Sequence, residues 1–218
     1  MKKDNITQVA QYWNRIAPHF DDIYTGRKSA IARVLDRCLR NDMFRRFDWV
    51  METSGDLLGA KICDVGCGSG RFVTALAERG AAQVTGVDIA PNMLAMARKL
   101  AAEKDVAGAC RFIQSDVLDW RTEDQFDLVI AIGFWDYIAD PLPRLRLIRN
   151  LTAGRFLSAW PRFWTWRMPI RKSRLTVLGC PVYFFTRRQV YKLLEQSGFR
   201  VASCKTIGKL YCVDARPA

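Results

Sequence analysis

A run of alternating glycines and a distant acid are the residues of this chain best placed to hold a small ligand. The run Gly66-Cys67-Gly68-Ser69-Gly70 lets the backbone turn sharply and approach a ligand closely. Asp88 follows 22 residues after Gly66, the spacing at which a carboxylate accepts hydrogen bonds from the hydroxyls of a ribose. These residues therefore predict the binding of a nucleoside-containing cofactor.

Such a site needs a strand before the glycine run and a helix after it. The apolar run at 61–65 predicts the strand, and the pattern around 72–79 predicts the helix, whose free N–H groups and positive dipole end would face the ligand. Further apolar runs lie at 84–87, 112–113, 126–132 and 156–160, with helical patterns between them around 92–102 and 142–151. Strands that alternate with helices predict an α/β fold with a parallel sheet and helices on both faces.

The two ends of the chain depart from this alternation. Helical spacing before Pro18, where the pattern is expected to stop, and again at 29–51 predicts an N-terminal helical cap over residues 1–55. The C-terminal end predicts a helix over 187–198 and then an antiparallel hairpin with a tight turn at Gly208. Residues 56–218 are expected to form one core domain with an insertion at about 161–185.

The glycine spacing distinguishes between two cofactor classes. A Rossmann dinucleotide site needs glycine at position 71, which is arginine here, so a nicotinamide oxidoreductase is disfavoured. The run Asp64 to Gly70 instead closely resembles motif I of class I S-adenosylmethionine-dependent methyltransferases. Residues 84–94, 114–116 and 126–130 resemble that family's second strand, its adenine-binding acid and its fourth strand. The resemblance implies a Rossmann-like doubly wound, seven-stranded mixed sheet in the order 3-2-1-4-5-7-6, with the C-terminal hairpin at one edge.

The resemblance also implies the cofactor, S-adenosylmethionine, with S-adenosylhomocysteine as its product. It implies a role for Asp64 near the methionine moiety. Asp116 would accept from the adenine amino group, with the Val117 N–H opposite, although a turn aspartate is an alternative interpretation. The residues expected to bind the cofactor are Tyr24, Asp64, Gly66, Cys67, Gly68, Gly70, Asp88, Ile89, Met93, Asp116, Val117, Ile132, Gly133 and Phe134.

Methyl transfer needs little side-chain chemistry. The sulfonium is already activated, so the protein chiefly aligns the reactants and excludes water. A general base helps only if the acceptor must lose a proton, and His19 is the single histidine of the chain. Asp136 and Tyr137 follow the fourth predicted strand and are candidates for the acceptor site. His19, Asp136 and Tyr137 are therefore the candidate catalytic residues, with a structural role as the alternative for each.

The net charge of +12 is concentrated in one part of the chain. Residues 141–194 contain twelve basic side chains and no acid, and the rest of the sequence is neutral overall. Interleaved tryptophan and arginine at 161–185 predict a basic lid for a flat or lipophilic, anionic acceptor. The same segment would suit peripheral contact with an acidic membrane or RNA, and a solvated helical face is the plainer alternative. The candidate substrate contacts are Tyr12, Trp13, Trp164, Arg167, Arg171 and Lys172.

These patterns predict transfer of a methyl group to an oxygen of a small aromatic or lipophilic, anionic acceptor. The motifs that nucleic-acid methyltransferases place after strand four are missing, so RNA methylation is the less favoured alternative. A non-catalytic cofactor-binding module that docks on an anionic partner is the other. The cap and residues 134–141 are weakly similar to magnesium-protoporphyrin O-methyltransferases, which favours carboxyl or phenol O-methylation.

The remaining composition narrows the protein class. Seven cysteines without a C-x-x-C pair, beside one histidine, predict free thiols and no zinc site. No apolar run approaches the roughly 18 residues of a membrane span, and the polar start does not resemble a signal peptide. We therefore expect a cytoplasmic enzyme without a metal.

Overall fold

A mixed β-sheet forms the centre of the molecule. The computed structural model describes residues 3–20, 30–163, 165, 173 and 180–218. The strands in these ranges are β1 (Lys61–Val65), β2 (Gln83–Asp88), β3 (Cys110–Gln114), β4 (Phe126–Ile132), β5 (Thr152–Pro161), β6 (Phe199–Ile207) and β7 (Leu210–Pro217). Their order across the seven-stranded sheet is β3-β2-β1-β4-β5-β7-β6, which confirms the predicted topology.

Helices cover both faces of this sheet. They are α1 (Lys3–Phe20), α2 (Ala30–Ser54), α3 (Arg71–Glu78), α4 (Pro91–Glu103), α5 (Pro141–Leu151) and α6 (Arg187–Gln196), with short 3-10 helices at Ala107–Ala109 and Trp135–Tyr137. One apolar layer joins α2, α3 and α4 to the sheet, and a second joins α5 and α6 to the opposite face. Strands buried on both sides explain the near-continuous apolar runs in the sequence.

The directions of the strands create a candidate ligand-binding crevice at one end of the sheet. Strands β1 to β5 run parallel, and β7 is antiparallel to both of its neighbours. β1 pairs with β2 on one side and with β4 on the other, so the chain reverses its winding at β1. A crevice opens outside the carboxyl ends of the strands at such a switch point.

The helix α1 continues past the proline that was expected to end it. Pro18 has no N–H, so the carbonyl of Asn14 loses the donor that a helix would supply four residues later. The side-chain Nδ2 of Asn92 donates to that carbonyl instead, at 3.2 Å, while the Asn92 backbone N–H donates to Asn14 Oδ1 at 3.1 Å. The expected end at Pro18 was therefore two residues early, and the freed carbonyl docks α1 on the start of α4.

The second cap helix, α2, contacts the turn between β6 and β7. Lys209 Nζ lies 2.9 Å from Asp42 Oδ2 of α2. Gly208 has a φ of +53°, and a Cβ at this position would overlap the Asp42 carboxylate. The α2 helix therefore lies against the β6–β7 turn at a distance that only glycine permits.

The segment predicted as a basic lid, residues 161–185, is described only in part. Residues 180–185 return beside α1, where Cys180 and Val182 form a small apolar cluster with Tyr12. Trp164, Arg167, Arg171 and Lys172 lie outside the described residues, as does Tyr24 of the predicted cofactor site. Within the described ranges no helix is long and apolar enough to cross a membrane.

Candidate functional site

A cavity lies at the carboxyl ends of β1, β2 and β4, beneath the cap helices α1 and α2. Its wall combines the loops after β1 to β4, the first turns of α3 and α5, and one side of each cap helix. The residues that line it are Ile6, Val9, Trp13, Arg46, Val65, Gly66, Cys67, Gly68, Ser69, Arg71, Phe72, Val87, Asp88, Ile89, Met93, Ser115, Asp116, Val117, Ile132, Gly133, Phe134, Tyr137, Ile138 and Arg144.

The glycine loop forms the floor of this cavity. Gly66, Gly68 and Gly70 adopt φ angles of +76°, +53° and +78°, which residues with a side chain rarely adopt. A Cβ at Gly66 would lie 2.8 Å from the Phe134 ring, whereas the same position at Gly68 faces open space. The loop therefore presents bare backbone to a ligand at Gly68 and packs tightly against Phe134 at Gly66.

Asp88 joins the end of β2 to this loop. Its Oδ2 accepts a hydrogen bond from the Gly68 N–H at 2.8 Å, and its Oδ1 accepts one from the Ala90 N–H at 2.9 Å. Burial raises the pKa of Asp88, and these backbone donors oppose the shift. Each oxygen keeps a lone pair, so the carboxylate can also accept from two neighbouring hydroxyls.

Asp64 carries an unsatisfied polar atom beside the cavity. The residue is 1% exposed, and its Oδ2 has no hydrogen-bond partner in the described part of the chain. Burial raises the pKa of Asp64 to about 8, the charge of Asp88 adds to the rise, and Arg46 opposes it. A buried oxygen without a partner is costly, so this atom is ready to accept a hydrogen bond from a cationic donor.

Arg46 brings a cation to the same end of the cavity from α2. A Cβ on Gly133, directly after β4, would lie 3.3 Å from Arg46 Nη1. Among the described residues the Arg46 guanidinium makes no hydrogen bond or ion pair, although it lines the cavity. An unpaired guanidinium beside an unpaired carboxyl oxygen matches the carboxylate and ammonium of an amino acid.

The opposite end of the cavity holds a buried ion pair. Arg144 in the first turn of α5 approaches Asp116 Oδ2 at 2.8 Å, and Asp116 Oδ1 accepts from the Leu118 N–H at 3.1 Å. The Val117 N–H makes no hydrogen bond with a described residue. A carboxylate acceptor and a free N–H donor are thus adjacent, as recognition of a purine edge requires.

The aromatic rings of Trp13 and Tyr137 form the wall of the cavity that we call the roof. The Trp13 ring of α1 meets the Tyr137 ring edge-on, with centroids 5.5 Å apart and an interplanar angle of 89°. Behind them Phe134 packs edge-on against Trp135, whose ring is stacked on Trp160 at 4.3 Å. The roof is therefore anchored in the core through the segment that follows β4.

Comparison with known proteins identifies the family. A family model described as a methyltransferase domain matches residues 58–205, which include the glycine loop, Asp88 and Asp116. The chain belongs to the class I S-adenosylmethionine-dependent methyltransferases. The resemblance inferred from motif I is thereby confirmed, and S-adenosylmethionine is the cofactor of this family.

Curated relatives of this methyltransferase match about half of its chain. The ubiquinone biosynthesis O-methyltransferase of Aeromonas salmonicida (strain A449) is 36% identical over 106 residues, which are 49% of this chain and 44% of that protein. The corresponding protein of Pseudomonas aeruginosa (strain LESB58) is also 36% identical over 106 residues, 49% of this chain and 45% of that one. The match spans less than half of the length of these relatives.

Solved structures share the whole fold. The magnesium protoporphyrin IX methyltransferase of Synechocystis PCC 6803, crystallised with bound SAH, has a TM-score of 0.79 at 21% identity and covers 98% of this chain and 100% of that one. The cyclase SpnF has a TM-score of 0.74 at 18% identity, covering 96% of this chain and 95% of that one. Proteins with different named activities share this fold, so the acceptor of this methyltransferase must be argued from its own site.

The cavity of the methyltransferase fits its cofactor. The open space above Gly68 and the two free lone pairs of Asp88 suit a ribose. Asp64 Oδ2 and the Arg46 guanidinium, which have no hydrogen-bond partner among the described residues, suit the amino-acid end of the methionine moiety. Among the described residues, no group of three His, Cys, Asp or Glu side chains could hold a metal ion.

Most of the predicted cofactor residues of the methyltransferase line this cavity. Those that do so are Gly66, Cys67, Gly68, Asp88, Ile89, Met93, Asp116, Val117, Ile132, Gly133 and Phe134, together with the substrate candidate Trp13 and the catalytic candidate Tyr137. Gly70 does not line it; a Cβ there would lie 2.7 Å from Ala97 Cβ, so this glycine allows α3 to pack on α4.

Other predicted residues lie away from the cavity wall. Asp136 is 4% exposed and is not part of the lining, and its backbone carbonyl accepts from the Tyr183 N–H at 2.8 Å. Tyr12 is buried beneath Trp13 in the cluster with Cys180. His19 belongs to α1, but its side chain lies outside what the structure describes, so its role as a base stays a prediction.

The sequence patterns missed two arginines of the methyltransferase site. Arg46 lies on a long helix in which basic residues recur without a motif, and only the docking of α2 brings it to the cavity. Arg144 lies three residues into a helix that begins at Pro141, and its proximity to Asp116 depends on the tertiary fold. The other lining residues that were not predicted are Ile6, Val9, Val65, Ser69, Arg71, Phe72, Val87, Ser115 and Ile138.

Proposed function

We propose that this methyltransferase transfers the methyl group of S-adenosylmethionine to an oxygen of a small aromatic or lipophilic, anionic acceptor. The observation that carries the proposal is the aromatic roof, in which Trp13 and Tyr137 close an otherwise apolar wall with Ile6 and Val9. Such a wall binds flat or lipophilic molecules. The names of the curated relatives support oxygen as the methylated atom.

Charge at the cavity supports the anionic character of the acceptor. The pair of Arg144 and Asp116 is internally balanced. The lining also holds Asp88, Arg46 and Arg71, so three of its five charged side chains are cationic. An anion is attracted to such a cavity before it makes any contact.

The residues of this chain divide the work of binding and alignment. Asp88 would hold the ribose hydroxyls, Asp64 the ammonium and Arg46 the carboxylate of the cofactor. When bound, the cofactor supplies a methyl group that is already activated on a sulfonium. The ring of Phe134 against Gly66 fixes the segment after β4, and the Trp13–Tyr137 pair excludes water from the acceptor.

Proton removal depends on which oxygen accepts the methyl group. A carboxylate acceptor is already ionised near neutral pH and needs no base, whereas a phenol must lose its proton during transfer. Of the predicted catalytic residues, Tyr137 lines the cavity. His19 remains the predicted base for a phenol, and its replacement by alanine should then lower the rate with a phenol but leave the rate with a carboxylate unchanged.

An acceptor screen tests this function. S-adenosylhomocysteine release is measured with isoprenoid-tailed phenols, porphyrin carboxylates, short polar phenols and an RNA oligonucleotide. We expect turnover with lipophilic phenols or carboxylates and none with RNA. Turnover with RNA alone would contradict the proposal, and cofactor binding without turnover on any acceptor would favour a non-catalytic module. Contact of the basic segment with acidic vesicles stays a prediction.

A pair of variants connects the screen to the roof. Trp13→Ala should raise the acceptor KM at least about tenfold, because it opens the apolar wall, while S-adenosylhomocysteine affinity changes less. Tyr191→Ala is the matched control, since Tyr191 is 38% exposed on α6 and does not line the cavity. An equal rise of the acceptor KM in both variants would show that the roof does not bind the acceptor.

A further inference from the structure

The buried ion pair of Asp116 and Arg144 is better explained by ligand recognition than by a contribution to stability. The two side chains are 10% and 9% exposed, and Arg144 Nη2 lies 2.8 Å from Asp116 Oδ2. Taking both charges out of water costs about as much as their attraction returns, so a buried pair adds little stability. Both residues also line the cavity, where a bound molecule would meet them.

A second observation points to a ligand at this position. Arg144 Nε is buried and has no hydrogen-bond partner among the described residues. Asp116 is held from two sides, by Arg144 on Oδ2 and by the Leu118 N–H on Oδ1 at 3.1 Å. The carboxylate is thus fixed in orientation, and each oxygen retains a lone pair for a further donor.

The neighbouring backbone completes a two-point pattern. The Val117 N–H is free within the described structure, beside the Asp116 acceptor. Adenine presents an amino donor and an unprotonated ring nitrogen side by side, which matches an acceptor followed by a donor. A 6-oxo purine presents an oxygen and a protonated ring nitrogen, which mismatches both groups.

We infer that Arg144 is the positioning residue that fixes Asp116 for reading the purine base, so that the site rejects a 6-oxo purine nucleoside. The inference rests on the proposed function, because it concerns the same cofactor cavity. Arg144 acts through Asp116: together with the Leu118 N–H it holds the carboxylate from two sides and keeps its oxygens aimed at the base.

Calorimetric titration of the full chain with two ligands tests the inference. The ligands are S-adenosylhomocysteine and S-inosylhomocysteine, which differ only in the purine edge. The native chain should bind the adenosyl compound at least about 100-fold more tightly, because a site built around hydrogen bonds leaves its polar groups unpaired with the wrong edge. Arg144→Met should weaken adenosyl binding and reduce that ratio to less than about tenfold.

Three further variants separate positioning from folding. Arg146→Met is the matched control, because Arg146 is exposed on the same helix, and it should keep the native ratio. Arg144→Lys retains a cation for Asp116 and should restore part of the ratio. The double variant Asp116→Asn, Arg144→Met removes both charges of the pair, so its unfolding temperature should stay near that of the native chain. It should still fail to discriminate between S-adenosylhomocysteine and S-inosylhomocysteine.

Each result decides the question. A native ratio in Arg144→Met, or an equal loss of both ligands, would overturn the role of Arg144 while leaving the proposed function intact. Failure of the native chain to bind either ligand would overturn both. A collapsed ratio in Arg144→Met and in the double variant, with a native ratio in the control, supports the inference.

Discussion

Asn14 and Asn92 bind each other through side chain and backbone at once. Asn14 Oδ1 accepts the Asn92 N–H at 3.1 Å, and the Asn14 carbonyl accepts from Asn92 Nδ2 at 3.2 Å. Asn92 is the second residue of α4, whose own N-cap is Ala90 and offers no side-chain acceptor. A side chain of α1 therefore caps α4, and the roof of the cavity is attached through that cap.

Replacing Asn14 should loosen the roof. Asn14→Ala removes the cap, which is worth about 1 kcal/mol, and should lower Tm by about 2–4 °C in a chain of this size. It should also raise the acceptor KM, because Trp13 lies next to the lost contact. Gln8→Ala, at an exposed position of the same helix, is the control. Asn14→Asp keeps the acceptor oxygen, so a loss as large as that of alanine would argue against capping.

Removing the charge of Asp88 should abolish tight cofactor binding. In Asp88→Asn one side-chain NH2 must face the N–H of Gly68 or Ala90, and a ribose acceptor is lost. We expect S-adenosylhomocysteine affinity measured by calorimetry to fall about 100-fold, the cost of two good polar contacts. Asp119→Asn changes an exposed acid and should bind as the native chain does. Affinity within threefold of native in Asp88→Asn would exclude the ribose assignment.

Stability should fall as pH rises because of Asp64. Burial is the main cause that raises the pKa of Asp64 from its ordinary value of 3.8 to about 8 in the folded chain. Between these values the folded state holds a proton that the unfolded state has released. The free energy of unfolding therefore decreases with pH through this window, by up to about 1.4 kcal/mol per pH unit for one such group, and levels off above pH 8.

Urea unfolding between pH 5 and 8.5 measures this contribution. Asp64→Asn should flatten the slope of unfolding free energy against pH, because the titrating group is gone. Asp119→Asn again serves as the control for loss of one negative charge. An Asp64→Asn slope equal to that of the native chain would show that other groups produce the dependence.

The local sequence pattern was sufficient to predict those strands and motifs whose residues are adjacent or regularly spaced in the chain. β1, β2 and β4 are buried on both faces, so their apolar runs predicted them, and the glycine loop and Asp88 carry their chemistry in spacing alone. β5 began earlier than the apolar run at 156–160 indicated. Gly154 lies in that unpredicted half, opposite a register irregularity, where a Cβ would lie 2.4 Å from the Asp127 carbonyl oxygen.

The parts that escaped prediction depend on contacts between distant segments. Pro18 breaks a helix on local grounds, yet Asn92 supplies the bond that the proline removes. Arg46 and Arg144 are ordinary helix arginines in the sequence. Each acquires a function only when its helix is laid over a strand end that carries Asp64 or Asp116.

Substitution of Gly208 should release α2 from the hairpin. Gly208→Ala combines a strained φ of +53° with overlap on the Asp42 carboxylate, so a loss above about 1 kcal/mol in unfolding free energy is expected. Gly59→Ala is the matched control, because Gly59 has a φ of +75° and open space around its missing Cβ. A loss no larger than that of the control would show that strain, not contact with α2, accounts for the effect.

Gly208→Ala should also weaken S-adenosylhomocysteine binding. Arg46 lies one helical turn after Asp42 on α2 and would shift with it. Calorimetric affinity in Gly59→Ala should stay at the native value, because Gly59 does not line the cavity. Native affinity in Gly208→Ala would separate the hairpin contact from the placement of Arg46.

The contact between α2 and the β6–β7 turn has a consequence for biosynthesis. A ribosome releases α2 long before the turn with Lys209, so the two cannot meet until the β6–β7 hairpin has been translated. During that interval the side of α2 that carries Trp49 and Val50 lacks its neighbours Ile207, Leu210 and Cys212. The nascent chain therefore carries α2 without part of its apolar cover until the β6–β7 hairpin emerges, and a chain cut before Gly208 would lack that part of the cover.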